Sequence, residues 1–202
     1  MANIDNKKGA KKRMISNDVL KTIEERFSCR GYTGNPVDED KLKAIVKSGL
    51  HSPSAVDQQK WRLKVITNKA LIDDMSTEAL EILKNDLNQQ GAYERILSRG
   101  GICYYNAPVM ILVFKAPDYQ YNIDLDCGIM IQNLALAATS VGYNCVIAQM
   151  SGLVFTGPNA ALFREKTGVT TGEEFAIGLL LGEGNMTKEP HAIDWDKVTY
   201  IK

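Results

Sequence analysis

The sequence predicts an α+β fold in which a few strands are enclosed between helices. Residues 108–114 (PVMILVF) and 175–181 (FAIGLLL) have the length and composition of strands that are buried on both faces. Residues 126–143 are apolar almost all round, which is typical of a helix that runs through the core. A chain of 202 residues is long enough to bury such a core within one domain.

The other elements are predicted from apolar spacing and capping residues. Helical spacing runs from Val19 to Phe27, after the capping-type residues 16–18. A second helix begins in the acidic run at 38–40, where carboxylates stabilise the positive end of a helix dipole, and it ends before Pro53. The remaining predictions are a strand with one solvent-facing side at 61–65, a helix at 68–90, a short strand at 145–149 and a helix at 158–166.

Composition and charge exclude several classes of protein. Lys plus Arg and Asp plus Glu each number 24, so the formal charge is zero, and this argues against nucleic acid or an anionic membrane as a partner. Four widely spaced cysteines, two histidines and the lack of a C-x-x-C motif argue against a zinc cluster or a disulfide framework. We therefore expect reduced thiols and a cytoplasmic protein. We also expect residues 1–15 to form a flexible basic leader and residues 16–202 to form a single domain with a C-terminal arm.

The predicted core helix needs more cover than one small domain offers, and the polar tail with Trp195 and Tyr200 has no obvious surface to pack on. A homodimer in which the tail wraps around the partner satisfies both requirements.

Two polar segments are candidates for chemistry. Arg26, Ser28 and Arg30 occupy every second position, so an extended backbone would turn all three side chains to one side. Two guanidinium groups and a hydroxyl suit a phosphate monoester, although a solvated helix end explains the same residues. Residues 52–61 (SPSAVDQQKW) follow the second helix and offer short polar groups to a ligand, or form a plain turn.

The ordered set of motifs resembles the FMN-dependent nitroreductase family. The set comprises R-F-S-C-R, S-P-S-A-V-D-Q-Q-K-W before a strand, the helix around Gln132 and Asn133, and the strand FAIGLLLGEG. The resemblance covers roughly residues 18 to 198. It implies a three-layer α/β/α sandwich around a mostly antiparallel sheet, built as an obligate intertwined homodimer.

The resemblance also implies a cofactor site without a catalytic side chain or a metal. It assigns the FMN phosphate and ribityl chain to Arg26, Phe27, Ser28, Arg30 and Lys188, with His191 as a further basic position. Pro53 and Ser54 would reach the flavin from the second subunit, and the backbone of the segment with Gln149 and Met150 would face the flavin N5 edge.

The sequence departs from the family pattern in three places. Asp57 replaces an asparagine and would place a carboxylate near the flavin, where a negative charge disfavours the anionic reduced form. Lys60 replaces a proline, and Gln149–Met150 replace a Glu-Gly pair that is found in one major branch of the family.

The implied activity is ping-pong hydride transfer from NADH or NADPH to a small aromatic or quinone-like substrate, namely a nitroaromatic, a quinone or an activated alkene. Tyr93, Tyr104 and Tyr105 would offer stacking surfaces, or they are core residues. One alternative is a specialised family member that dehalogenates an aromatic or destroys flavin, for which residues 87–103 leave little room for a lid. The other is a non-catalytic flavin- or nucleotide-binding sensor that uses the basic leader as an interaction tail.

Overall fold

The computed structural model describes residues 15–202, so nearly all of the predicted leader lies outside the described residues. The described part contains six α-helices and four strands. The helices are α1 Asp18–Glu25, α2 Glu39–Leu50, α3 Lys69–Asn85, α4 Gln90–Leu97, α5 Ile123–Ser140 and α6 Ala160–Thr167. The strands are β1 Trp61–Ile66, β2 Val109–Lys115, β3 Asn144–Ile147 and β4 Glu174–Gly182.

The four strands form one antiparallel sheet in the order β1-β2-β4-β3. The two apolar runs of the sequence are the central strands, where Ile111 pairs with Leu179. β2 is buried on both faces, as predicted from its composition, whereas β4 is half-buried at residues 175–177 and buried on both faces from Gly178 to Gly182. β3 lies at one edge, where Cys145 pairs with Leu181.

Helices cover both faces of the sheet, so the fold is a three-layer α/β/α sandwich. On β2, Met110, Leu112 and Phe114 point to a core shared with α3, α4 and α6. The alternate residues Val109 and Ile111 point to a second core, which α2 and α5 cover. The predicted fold class is therefore confirmed.

Two sequence predictions about individual elements, the helix at 68–90 and the strand at 61–65, were wrong in detail. The single helix at 68–90 is interrupted, because α3 ends at Asn85 and the Asp86 side chain then accepts a hydrogen bond from Asn88 N–H to begin a short 3₁₀ helix. β1 does not keep a clean alternation, since Val65 is exposed and Ile66 is buried. Lys64 on the same strand is mostly buried because its ammonium group pairs with Glu173.

The central helix α5 is buried on one side only within the single chain. Eight of its residues are buried, among them Met130 and Leu134, but Leu125 is 61% exposed and Gly128 is open to solvent. One side of α5 is thus open in one copy of the chain, as expected of a core helix that needs more cover than one domain offers. Among residues 15–202, no helix has the length and hydropathy needed to cross a bilayer.

Candidate functional site

A cleft of about 460 Å³ lies between the end of α1 and the C-terminal arm. Its polar lining includes Arg26, Ser28 and Lys188, which the sequence analysis placed in one site. The full lining is Leu20, Ile23, Glu24, Arg26, Phe27, Ser28, Lys188, Glu189, Pro190, His191 and Ile193. The fold therefore brings together two cationic side chains and a hydroxyl that are far apart in the chain.

The wall of the cleft is formed by the chain segment that follows α1. Asn17 caps the start of this helix by accepting a hydrogen bond from Leu20 N–H at 2.9 Å. The helix ends at Arg26, which has extended backbone angles (φ −63°, ψ 124°). Ser28 then pairs with Cys145 of β3 in a parallel bridge. The segment is thus extended, as the prediction from the alternating residues requires.

Arg30 does not line this cleft, although the sequence placed it with Arg26 and Ser28. Its Nη1 donates to the Ser28 carbonyl at 3.4 Å, and its backbone N–H faces Met186 Sδ at 3.2 Å. The guanidinium group is therefore held beside the wall of the cleft, where it supports the Ser28 backbone.

Two carboxylates, Glu24 and Glu189, also line the cleft, and the sequence analysis missed both. Their positions gave a signal, since Glu24 precedes Arg26 by two residues and Glu189 follows Lys188 directly. The two negative charges offset the positive charges of Arg26 and Lys188. The cleft therefore exerts only a weak long-range electrostatic attraction on an anion. Direct hydrogen bonds from Arg26, Ser28 and Lys188 must then supply most of the binding of an anionic group.

Pro53, Ser54 and Asp57 lie in the loop after α2 and not in the cleft. Ser54 Oγ accepts a hydrogen bond from Gln59 N–H at 3.0 Å, and Asp57 Oδ1 accepts one from Gln59 Nε2 at 2.8 Å. A single chain does not bring this loop and the cleft into one site.

Gln149 and Met150 follow β3 at the start of a 3₁₀ helix, Gln149–Phe155. The backbone N–H groups of both residues donate to no protein acceptor among residues 15–202. The Met150 carbonyl accepts a long hydrogen bond from Tyr104 Oη at 3.5 Å. Two adjacent free donors at the end of an edge strand are available to a ligand acceptor.

The three tyrosines that the sequence analysis offered as stacking surfaces lie in or against the core. Tyr104 and Tyr105 are 1% and 7% exposed, and Tyr93 packs against the same core. The idea that Tyr104 and Tyr105 stack on a ligand was therefore wrong, because their rings fill the apolar layer under α3 and α4.

The four cysteine thiols are free and buried. Burial raises the pKa of Cys103 and of Cys145 to about 12, and that of Cys127 to about 11. Burial also raises the pKa of Cys29. Thiols of this kind stay protonated near neutral pH and make poor nucleophiles, and their free state agrees with the reduced thiols expected from the sequence.

The model of the nitroreductase family matches residues 23–182, a span that includes the cleft wall, the loop after α2 and the whole sheet. The chain belongs to the nitroreductase family. This nitroreductase-family chain resembles a nitroreductase of Desulfitobacterium hafniense that was solved with bound FMN. The two are 39% identical, and the match covers 93% of this chain and 100% of the other with a TM-score of 0.87.

Two curated proteins are also similar to this chain, and their names indicate two different activities for those proteins. A protein of Methanothermobacter thermautotrophicus, named "Putative NADH dehydrogenase/NAD(P)H nitroreductase", is 29% identical over 135 residues, which cover 64% of this chain and 59% of the relative. An iodotyrosine deiodinase of Hydra vulgaris is 29% identical over 168 residues, which cover 71% of this chain and 61% of the relative. The chain thus spans about three fifths of the length of these curated relatives.

Proposed function

We propose that this protein is an FMN-dependent oxidoreductase that transfers hydride from NADH or NADPH to a nitroaromatic, a quinone or an activated alkene. One observation carries the proposal. Arg26, Ser28 and Lys188 share one cleft in a chain that is 39% identical, over nearly its whole length, to a nitroreductase with bound FMN.

The donor set of the cleft fits the phosphate of FMN. This phosphate carries close to two negative charges and three acceptor oxygens. Arg26 offers a forked pair of donors, and Lys188 and Ser28 add single donors. Phe27 and Ile23 supply apolar surface beside these groups.

When bound, FMN supplies the hydride chemistry of its ring system. The chain binds and orients it, and the free N–H groups of Gln149 and Met150 serve as donors to an acceptor atom on the ring. A protein nucleophile is not required, in agreement with the buried, protonated state of the four thiols. Arg30 supports the site through the Ser28 carbonyl.

We propose further that the working unit is a homodimer in which Pro53, Ser54 and Asp57 of the second copy complete each site. Apolar side chains are exposed on three neighbouring parts of the described chain, which are the open side of α5, the helix α1 and the C-terminal arm. They include Leu125, Val19, Leu20, Ile193, Trp195 and Tyr200. Exposed apolar surface of this extent marks an interaction site. We retain residues 16–202 as one domain with a C-terminal arm, and a cytoplasmic location, as parts of the proposal.

FMN titration of the purified protein tests the cofactor. We expect binding near one FMN per chain, and Lys188→Gln should weaken it by about tenfold or more, since one charge-assisted hydrogen bond contributes about 1.5–3 kcal/mol. Lys84→Gln makes the same change on α3, outside the cleft, and should bind as the wild type does. A wild type that takes up no FMN contradicts the proposal.

Steady-state oxidation of NADH and of NADPH with an added quinone tests turnover. Rapid oxidation that depends on the quinone supports an oxidoreductase. A protein that binds FMN but does not turn over is instead the non-catalytic flavin-binding sensor considered from the sequence.

A second candidate activity is reductive dehalogenation of an aromatic, which the likeness to the Hydra vulgaris iodotyrosine deiodinase favours. Residues 87–103 form only a 3₁₀ turn, the short helix α4 and the loop that follows it. Incubation of the FMN-loaded protein with reductant and an iodinated tyrosine separates the two activities. Release of iodide supports dehalogenation, and its absence alongside rapid quinone reduction rejects it.

A further inference from the structure

A buried carboxylate lies beneath the loop that carries Ser54 and Asp57. Asp126, in the first turns of α5, is only 4% exposed. Both of its carboxylate oxygens lie 3.2 Å from the backbone nitrogen of Ala55, which donates its N–H to them. A buried charge is unfavourable unless its hydrogen bonds compensate it, so a carboxylate at this position requires an explanation.

The loop above Asp126 has an unusual backbone. Val56, Asp57 and Gln59 all lie in the left-handed region, with φ of 45°, 56° and 50°. This region is unfavourable for residues other than glycine, and most of all for a β-branched residue such as Val56. Val56 is 72% exposed, so packing of its side chain does not offset the strain. Other contacts must hold the loop in this conformation.

Besides the hydrogen bonds of Gln59 to Ser54 and Asp57 within the loop, contacts to the rest of the chain hold this conformation. Gln58 exchanges two hydrogen bonds with the backbone of Gln120, at 3.1 and 3.2 Å. Lys60 pairs with Asp118 at 2.9 Å. These contacts lie in part at the solvent surface, where water competes with them. Asp126 is buried, so its hydrogen bond from Ala55 N–H is less open to such competition than the pair of Lys60 and Asp118, whose side chains are 32% and 73% exposed.

We propose that Asp126 is a positioning residue for flavin binding. Its carboxylate fixes the backbone at Ala55, and the strained loop on either side of that point then presents Pro53, Ser54 and Asp57 in one conformation. The inference rests on the proposed function, in which these three residues contact FMN. Asp126 acts only through the loop.

FMN titration of Asp126→Ala tests the proposal. Loss of a hydrogen bond to a charged group should weaken FMN binding by about tenfold or more. The visible absorption bands of the bound flavin should also shift, because the loop no longer holds one arrangement against the ring. Asp124→Ala is the matched control on the same helix, since Asp124 is exposed and pairs with Lys115 on the surface. It should change the affinity by no more than about twofold.

A second variant restores the restraint without the carboxylate. Ala55 is the first residue of its 3₁₀ helix, a position that tolerates proline, and Ser54 before it is extended (φ −137°, ψ 158°), as a residue before proline prefers. Asp126→Ala removes the side chain that the proline ring would strike. We expect the Asp126→Ala/Ala55→Pro double variant to recover part of the lost affinity and the wild-type flavin spectrum.

The outcomes distinguish a failure of the proposed function from a failure of the role inferred for Asp126. A wild type that binds no FMN overturns the proposed function and this inference with it. FMN bound by the wild type and by Asp126→Ala with equal affinity and identical spectra overturns the inference alone, even if the variant melts at a lower temperature. If Asp126→Ala does not fold, Asp126→Asn decides, because its neutral amide keeps the volume of the side chain but accepts a weaker hydrogen bond from Ala55 N–H. Weaker FMN binding with a shifted spectrum supports positioning, and wild-type affinity with an unshifted spectrum rejects it.

Discussion

Ser28 and Cys145 are paired in a parallel β-bridge, and the N–H of Cys29 donates to the Cys145 carbonyl at 2.9 Å. Ser28 belongs to the wall of the cleft, and Cys145 belongs to the edge strand that leads to Gln149 and Met150. The bridge therefore fixes the polar cleft relative to the two free N–H groups. A ligand with a phosphate at one end and a ring acceptor at the other requires such a fixed separation.

The two arginines of the R-F-S-C-R motif should differ in their effect on FMN binding. Arg26 lines the cleft, whereas Arg30 donates to the Ser28 carbonyl beside it. We expect Arg26→Gln to weaken FMN binding by about tenfold to a hundredfold, because it removes a charge-assisted hydrogen bond. Arg30→Gln should cost less than about tenfold, since a glutamine amide can still donate to the carbonyl.

Titration of each apo-protein with FMN at two salt concentrations measures this difference. The effect of Arg26→Gln should shrink at high salt, where screening weakens the charge interaction in the wild type. Equal losses for the two variants would mean that Arg30 also reaches the phosphate, as the sequence pattern alone predicts.

Much of the fold could be predicted from the sequence because its central elements have extreme composition. The two apolar runs became β2 and β4, which are buried on both faces along most of β2 and along the second half of β4. The break between α3 and α4 was missed because residues 85–90 contain neither glycine nor proline, and it is the Asp86 side chain that ends α3 by capping the next turn. The burial of the Lys64 side chain could not be predicted, because its partner Glu173 is distant in the chain.

The candidate site could be predicted only in part, for a similar reason. Alternation within five residues placed Arg26 and Ser28 on one wall, and the family resemblance added Lys188. Alternation did not show that the Arg30 guanidinium would donate a hydrogen bond to the Ser28 carbonyl instead of lining the cleft. The role of Asp126 had no local signal, because its partner Ala55 is distant in the chain and contributes only a backbone N–H.

A single charge on the open side of α5 should separate the proposed dimer. Leu136 lines a groove of about 430 Å³ between α1, α2 and α5, with Val19 and His51 among its neighbours. Leu136→Asp would bury an unpaired carboxylate in the interface, which is strongly unfavourable. We expect the mass measured by light scattering to fall from two chains to one.

Leu87→Asp is the matched control, since Leu87 is 86% exposed on the short 3₁₀ helix before α4. It should leave the mass unchanged. A wild type that runs as a monomer, or a Leu136→Asp variant that keeps the mass of two chains, contradicts the proposed interface.

A methyl group at Gly152 should destabilise the core beside Met150. A Cβ at this position would overlap the ring of Phe175, which packs edge-on against Phe114 with centroids 5.8 Å apart. The overlap forces the ring to move, so Gly152→Ala should lower the free energy of unfolding by about 1–3 kcal/mol.

Gly91→Ala is the control variant on α4, where the new methyl group meets only the end of the Arg95 side chain at 3.5 Å. It should raise stability by about 0.5–1 kcal/mol through helix propensity. Urea unfolding of both variants and the wild type measures these changes. Equal free energies of unfolding for Gly152→Ala and the wild type would show that the Phe175 ring moves aside without cost.

Acid should weaken the contact between Lys64 and Glu173. Burial by itself raises the pKa of Glu173, but hydrogen bonds from Thr170 and Lys64 together with the Lys64 charge outweigh it, and they hold the pKa below its ordinary value. A carboxyl with a lowered pKa in the folded state stabilises the fold above its unfolded pKa of about 4.3. This contribution is lost as the pH falls through the lower, folded value.

Urea unfolding of the wild type and Glu173→Gln across this pH range tests the contact. At about pH 7 the variant should lose about 1–3 kcal/mol, because the Lys64 ammonium loses its charged partner in a mostly buried position. The two unfolding curves should converge on acidification, as the wild-type carboxyl becomes protonated and neutral like the amide. Glu81→Gln removes an exposed partner of Lys84 and should change stability by about 0.5 kcal/mol or less at every pH. A gap between wild type and Glu173→Gln that stays constant into acid would show that the packing of this side chain, rather than its charge, stabilises the edge of the sheet.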